Sequence, residues 1–302
     1  MRPKFPLPAL LLAAACGAAG TSDRVSVMGV DRLSGELAAQ EVDLSGADLP
    51  AVRGPAGMVM LGASIEGTRV VGGAPADCPL RRKVNGALVA RSVACVSLLG
   101  QYAAMERARQ FLLSAGAEAL LPAPVLADES AAAGLRYLPS ADAFTLGEGP
   151  RGARVPAALN PGAVAREMAR RQLRAVAESH PQEAEGIALF LGAAAAADPG
   201  YLAASEAGGD PTGSLDLSRP LPAGAQPSAV LAGALWAWAD ASGDLTGSAR
   251  AALAAARALG PGNSDPATVL SLVAAQLDGA ERDQACAVFR ARLHASGIAA
   301  CP

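Results

Sequence analysis

Chemistry-bearing side chains are densest in Ala165-Arg166-Glu167-Met168-Ala169-Arg170-Arg171, with Arg174 three residues further on. On a helix Arg166, Arg170 and Arg174 stand at i, i+4 and i+8, one stripe of cations. Glu167 precedes Arg170 by three residues and Arg171 by four, a favourable order for helical ion pairs. Taken alone, this is a solvated basic face in which each pair contributes about 0.3 kcal/mol. A guanidinium stays protonated at ordinary pH and has no lone pair, so Arg166 and Arg170 are not metal ligands.

Other catalytic chemistry has little to work with. The chain has two histidines, His180 and His294. Each falls at a helix end, where the dipole favours a cation. A site built from His180, Glu183 and Glu185 would be loosely held, because His180 precedes Pro181 in a helix break. There is no G-x-S-x-G, P-loop or dinucleotide fingerprint, and Gly208-Gly209-Asp210 reads as loop. Of Trp236 and Trp238, the first is expected in the core and the second near a surface or groove.

The elements that must position these residues follow from pattern. Short apolar runs at Val25–Val30, Met58–Leu61, Arg69–Val71 and Ala87–Val96, separated by Gly, Pro and Asp, predict strands. Asn85-Gly86 predicts a tight hairpin, and 34–55 has no clear period and reads as a loop. From Leu98 the period becomes helical: Tyr102, Met105, Ala108 and Leu112 share a face, with Glu106, Arg107 and Arg109 off it and Gly116 as the stop. Tyr137–Leu146 reads as strand material. Asn160-Pro161 pairs an N-cap with proline at the first helical position, opening a helix to about Glu178. Further helices are expected near 182–197, 228–240, 247–259, 266–278 and 280–296, with a surface loop over 206–227. The organisation is α+β: a short β-rich N-terminal region over 16–98, then a mainly helical domain over 99–302.

The N-terminus resembles a lipoprotein signal. Arg2 and Lys4 precede the apolar Leu7–Ala15, and Ala13-Ala14-Ala15-Cys16 resembles a lipobox, which implies a signal peptide over 1–15 and a membrane anchor through lipid on Cys16. An ordinary signal peptide cut after Ala15 or Ala19 is the alternative. Lipidation of Cys16 would leave Cys78, Cys95, Cys286 and Cys301, an even set for disulfides in an oxidising compartment, the outer membrane or periplasm. Proximity suggests Cys78–Cys95 and Cys286–Cys301, though four cysteines allow three pairings. Charged residues are 18% with a net charge of -3, so a nucleic-acid partner is not expected.

Four segments occur in an order that resembles gluzincin-type zinc metallopeptidases, the thermolysin- and fungalysin-like group. Gln101–Ala108 looks like the helix that precedes the catalytic region, and Ala143–Leu146 like the edge strand that holds substrate. Leu159-Asn160-Pro161-Gly162-Ala163-Val164-Ala165-Arg166-Glu167 resembles the start of the zinc helix, and Glu183-Ala184-Glu185-Gly186-Ile187-Ala188-Leu189-Phe190-Leu191-Gly192 the helix of the third ligand. The resemblance implies a zincin-like fold with Glu167 at the general-base position and Glu185 at the third-ligand position. Arg166 and Arg170 stand where both H-E-x-x-H histidines would be, and Leu189 replaces an acidic residue that steadies one of them. It therefore implies lost zinc, no peptidase activity, a meeting of Arg166 and Arg170 with Glu185, and a peptide or protein partner in the former substrate cleft. An active metallohydrolase with unorthodox ligands, and a helical envelope lipoprotein unrelated to peptidases, are the alternatives.

Overall fold

The structure is a computed structural model that describes residues 24–31, 34, 36–44, 46–127, 134–147, 155–204, 215–222, 224–262, 264–293 and 298–301. Cys16, Gly208–Asp210 and His294 lie outside the described residues.

The fold is α+β: a strand-rich N-terminal part, interrupted by one long helix, precedes a helical C-terminal part. β1 (Arg24–Val30) pairs antiparallel with β2 (Leu37–Asp43) and parallel with β7 (Leu88–Ala90), which pairs in turn with β6 (Leu80–Arg82). Asn85-Gly86 sits in the β6–β7 turn, where Gly86 takes φ 86°. The second sheet starts from β3 (Arg53–Gly54), β4 (Gly57–Glu66) and β5 (Arg69–Pro75). It is extended by β8 (Pro124–Ala127), β9 (Leu135–Leu138) and β10 (Ala143–Leu146), in the order β3-β4-β8-β10-β9 with β5 also on β4. Because β4 pairs with β8, this sheet runs across the boundary drawn at residue 98.

Three strand readings change. Residues 34–55 include a strand, β2, whose half-buried positions are Ala38, Gln40 and Val42. An edge strand that buries so little apolar surface leaves a weak period-two signal. The run 87–96 is split: Ser92 accepts a hydrogen bond from the Cys95 N–H at 3.2 Å and caps a helix that begins at Val93. Tyr137–Leu146, the strand material of the sequence, belongs to a hairpin of β9 and β10, with Asp142 at φ 44° in the connection. β10 is interior, and the edge strand is β9.

The first long helix, α1 (Val93–Ser114), buries Tyr102, Met105, Ala108 and Leu112 as the spacing predicts. Glu106 is also buried, at 6% exposure, contrary to the amphipathic reading, and pairs with Arg109 at 2.9 Å. α2 (Pro161–Gln172) ends at Leu173, earlier than expected, and α3 (Arg174–Ser179) carries the chain to α4 (Pro181–Ala196). α5 (Pro227–Ser242), α6 (Leu245–Arg257), α7 (Pro266–Ala274) and α8 (Gly279–Leu293) follow. α4 is apolar around most of its circumference and packs against both α2 and α5, as a central helix must. Trp236 and Trp238 are both buried; Trp238 meets the edge of Phe289 rather than a surface groove.

Close approach of α4 to α2 depends on Gly192. A Cβ on Gly192 would lie 2.7 Å from the Gly162 carbonyl and 2.6 Å from the Tyr201 hydroxyl. Both distances are below contact, so larger side chains would push the helices apart. Disulfides join Cys78 to Cys95 and Cys286 to Cys301, as sequence proximity suggested. The first ties the start of α1 to the segment before β6, and closing a loop of this size contributes about 3 kcal/mol. Among the described residues no helix is long and apolar enough to cross a membrane.

Candidate functional site

The site lies where α2, the start of α4 and the edge strand β9 meet. α2 is fixed at its N-terminus by Asn160, whose Oδ1 accepts from the N–H groups of Gly162 and Ala163 at 3.0 and 3.2 Å. The Asn160 Nδ2 donates to the Tyr201 carbonyl at 2.6 Å, so the cap is itself anchored. From that start, helical spacing sends Arg166 and Arg170 from one face toward α4.

There they meet Glu185. Arg166 donates from Nε to Glu185 Oε1 at 3.0 Å and from Nη2 to the same oxygen. Arg170 donates from Nε to Glu185 Oε2 at 2.7 Å and from Nη1 to Glu167 Oε1 at 2.7 Å. The remaining oxygen of Glu167, Oε2, accepts the backbone N–H of Tyr137 on β9 at 2.9 Å. Every carboxylate oxygen of the two glutamates thus has a donor. Two cations balance two anions, which offsets the cost of taking four charges partly out of water.

Burial alone would push the Glu185 carboxyl up; hydrogen bonds and charge from Arg170 and Arg166 outweigh it and hold the group below the ordinary carboxylate range. Burial likewise works against the Arg170 cation, and Glu185 and Glu167 more than compensate, so its proton is held more firmly than usual.

A second cluster, invisible in the sequence, fixes β9 and β10 to α2. Arg171 grips Asp142 through Nε to Oδ1 at 2.8 Å and Nη2 to Oδ2 at 2.7 Å, a bidentate pair. Tyr137 Oη donates to Asp142 Oδ1 at 2.9 Å, and Arg171 Nη1 donates to the Leu121 carbonyl at 2.8 Å. The hydrogen bond from Arg171 is the main cause that holds the Asp142 carboxyl low. Burial, with Asp142 adding to it, pushes the Tyr137 hydroxyl up to about 12. β9 is therefore anchored twice, by its backbone to Glu167 and by its tyrosine to Asp142. Neither Asp142 nor Tyr137 carries a motif that would have singled it out.

The other sequence candidates separate from this site. His180 is buried, and its Nε2 lies 3.0 Å from the Gly260 carbonyl while Nδ1 lies 2.7 Å from Ser264 Oγ. A carbonyl can only accept, so Nε2 carries a proton toward Gly260, while Nδ1 and the Ser264 hydroxyl share the second hydrogen bond. His180 thus pins the α3–α4 break to Gly260 and Ser264. It does not join Glu185, whose oxygens belong to the arginines. Leu189, one turn beyond Glu185, is buried among apolar neighbours.

A zinc ion of the kind gluzincin peptidases hold does not fit this donor set. Positions 166 and 170 offer cations without lone pairs, and both oxygens of Glu185 are already bonded to them. Among the described residues there is no group of three or more His, Cys, Asp or Glu side chains that could hold a metal ion.

Beside the network opens a cleft of about 500 Å³. It is lined by Arg136 and Tyr137 of β9, Arg170 of α2, Arg174 of α3, and Ala184 and Glu185 of α4. β9 has no strand on its far side among the described residues. The outward Tyr137 N–H on that edge is already committed to Glu167.

No family model matches the chain, and no curated protein matches it.

If Glu167 serves the fold, its removal has a stability cost with a characteristic pattern. Glu167→Ala leaves the Tyr137 N–H and one arm of Arg170 without acceptors and is expected to cost about 2–3 kcal/mol. Glu167→Gln keeps an oxygen for one of the two and should lose about half as much. Urea unfolding of the variants measures both.

Proposed function

We propose that this protein is an exported, lipid-anchored relative of the gluzincin peptidases whose metal site has become an ion-pair network, and that it binds extended peptides without hydrolysing them. The observation that carries the reading is the position of the network. Arg166 and Arg170 bond Glu185, and Glu167 bonds the edge strand, so the residues at the general-base and ligand positions all work as structural charges. Substitution of both histidine positions together with Leu189 argues for loss of the whole site rather than of one ligand. β9 lying against α2 beside an open cleft supports the peptidase-like reading over an unrelated helical lipoprotein. The two disulfides and the lipobox-like Cys16 support an envelope location, with lipid on Cys16 as the anchor.

The direct test incubates the purified full-length protein with pools of blocked octapeptides and follows retained and cleaved species by mass spectrometry. The reading requires intact peptides to be retained. Cleavage products that vanish in Glu167→Gln would restore the active-hydrolase alternative, and retention of nothing would remove the binding role.

A further inference from the structure

The cleft beside β9 carries a charge imbalance that the network does not absorb. Arg170 and Glu185 in its wall satisfy each other. Arg136, on β9, and Arg174, at the start of α3, line the same cleft, are exposed, and make no hydrogen bond or ion pair among the described residues. Glu178 is the remaining anion of the lining. It follows Arg174 by four residues with the cation first, the weaker orientation for a helical pair, and no bridge forms between them among the described residues. Two cations of the lining thus face one anion of it across walls that are otherwise largely apolar, including Leu173, Ala177 and Pro181; Arg174 also acts on the Asp142 carboxylate, which Arg171 already binds.

Each guanidinium is a planar fork suited to a carboxylate, and the apolar walls strengthen whatever charge contact forms between them. A lysine side chain in the cleft would gain Glu178 and meet two repulsive neighbours; an aspartate or glutamate would gain two partners and meet one.

We infer that the cleft selects an acidic side chain: the peptide lies extended beside β9 and presents an Asp or Glu carboxylate to Arg136 and Arg174. This rests on the peptide-binding reading above. A side-chain and a chain-terminal carboxylate share this chemistry, and the free-terminus pool below separates the two.

The test uses the full-length protein and amidated octapeptide pools, randomised except for a fixed central Glu, Gln or Lys, with retained peptide measured by mass spectrometry. A fourth pool fixes central Gln and leaves the C-terminal carboxylate free. Retention of the Glu pool is expected to exceed that of the Gln pool roughly tenfold at low salt, with the Lys pool lowest, and the margin should shrink in 0.5 M salt, a condition of strong screening. Arg136→Gln with Arg174→Gln, both at exposed positions, should abolish the preference while leaving the melting temperature unchanged. Equal retention of all amidated pools overturns acid selection and leaves peptide binding standing. Retention of no pool overturns both. A preference that survives the double substitution overturns the assignment to Arg136 and Arg174, and a free-terminus Gln pool that matches the Glu pool overturns the side-chain assignment.

Discussion

Glu185→Ala is expected to destabilise the fold by about 2–3 kcal/mol. The substitution leaves Arg166 and Arg170 side by side with no shared acceptor. Breaking a fully buried pair costs about 3–5 kcal/mol. These side chains retain 23% and 32% exposure, so water recovers part of that cost and the expected loss is smaller. For a chain of this size the melting temperature should fall by roughly 3–5 °C.

The same carboxylate gives the fold an acid dependence of known sign. Its folded-state value lies below the ordinary 4.5, so the unfolded chain takes up the proton first as pH falls. The stability it contributes is complete above 4.5 and is lost as pH drops through the depressed folded value. Asp142, also held low, adds in the same direction below its ordinary 3.8. Urea midpoints followed into acid should therefore fall more steeply in the wild type than in Glu185→Gln. A Glu185→Ala variant within about 0.5 kcal/mol of wild type would reduce the network to an ordinary surface pair.

Arg166→His combined with Arg170→His is expected to confer zinc binding. The pair stands at i, i+4 on a helix facing Glu185, and two imidazoles with a carboxylate form a complete catalytic-type ligand set. Without metal the double variant should be less stable than wild type, because Glu185 loses both partners. Zinc at a hundredfold excess over its Kd should then raise stability by about 2.7 kcal/mol, and the wild type should show no such rise. Thermal unfolding with and without zinc reads the difference. A folded double variant indifferent to zinc would argue against descent from a metal site.

How much of this was legible in the sequence depends on the kind of signal. Helix boundaries written in local chemistry were clear: Asn160-Pro161 caps and opens α2, and Gly116 at φ 82° follows the end of α1. The Asn85-Gly86 hairpin and the pairing of cysteines close in sequence were equally local. β2 was missed because an edge strand of alanine and glutamine buries little. Glu106 was placed on the wrong face because α1 is covered on more sides than its amphipathic pattern implies. The edge strand was assigned to Ala143–Leu146 although β9 holds that place, since strand order is a property of long-range pairing that neither segment encodes alone. Within the site, Arg166, Glu167, Arg170 and Glu185 could be named from their positions in a peptidase-like order. Asp142 and Tyr137 could not, because their role exists only once the β9–β10 hairpin lies on α2.

The central claim is that this network stands where a zinc ion would be held, and zinc stoichiometry tests it most directly. Full-length protein purified without chelator and equilibrated with zinc should, after desalting, retain far less than one zinc per chain by elemental analysis. It should retain equally little after Glu185→Ala. One tightly held zinc per chain, lost on mutating Glu185, would contradict the account.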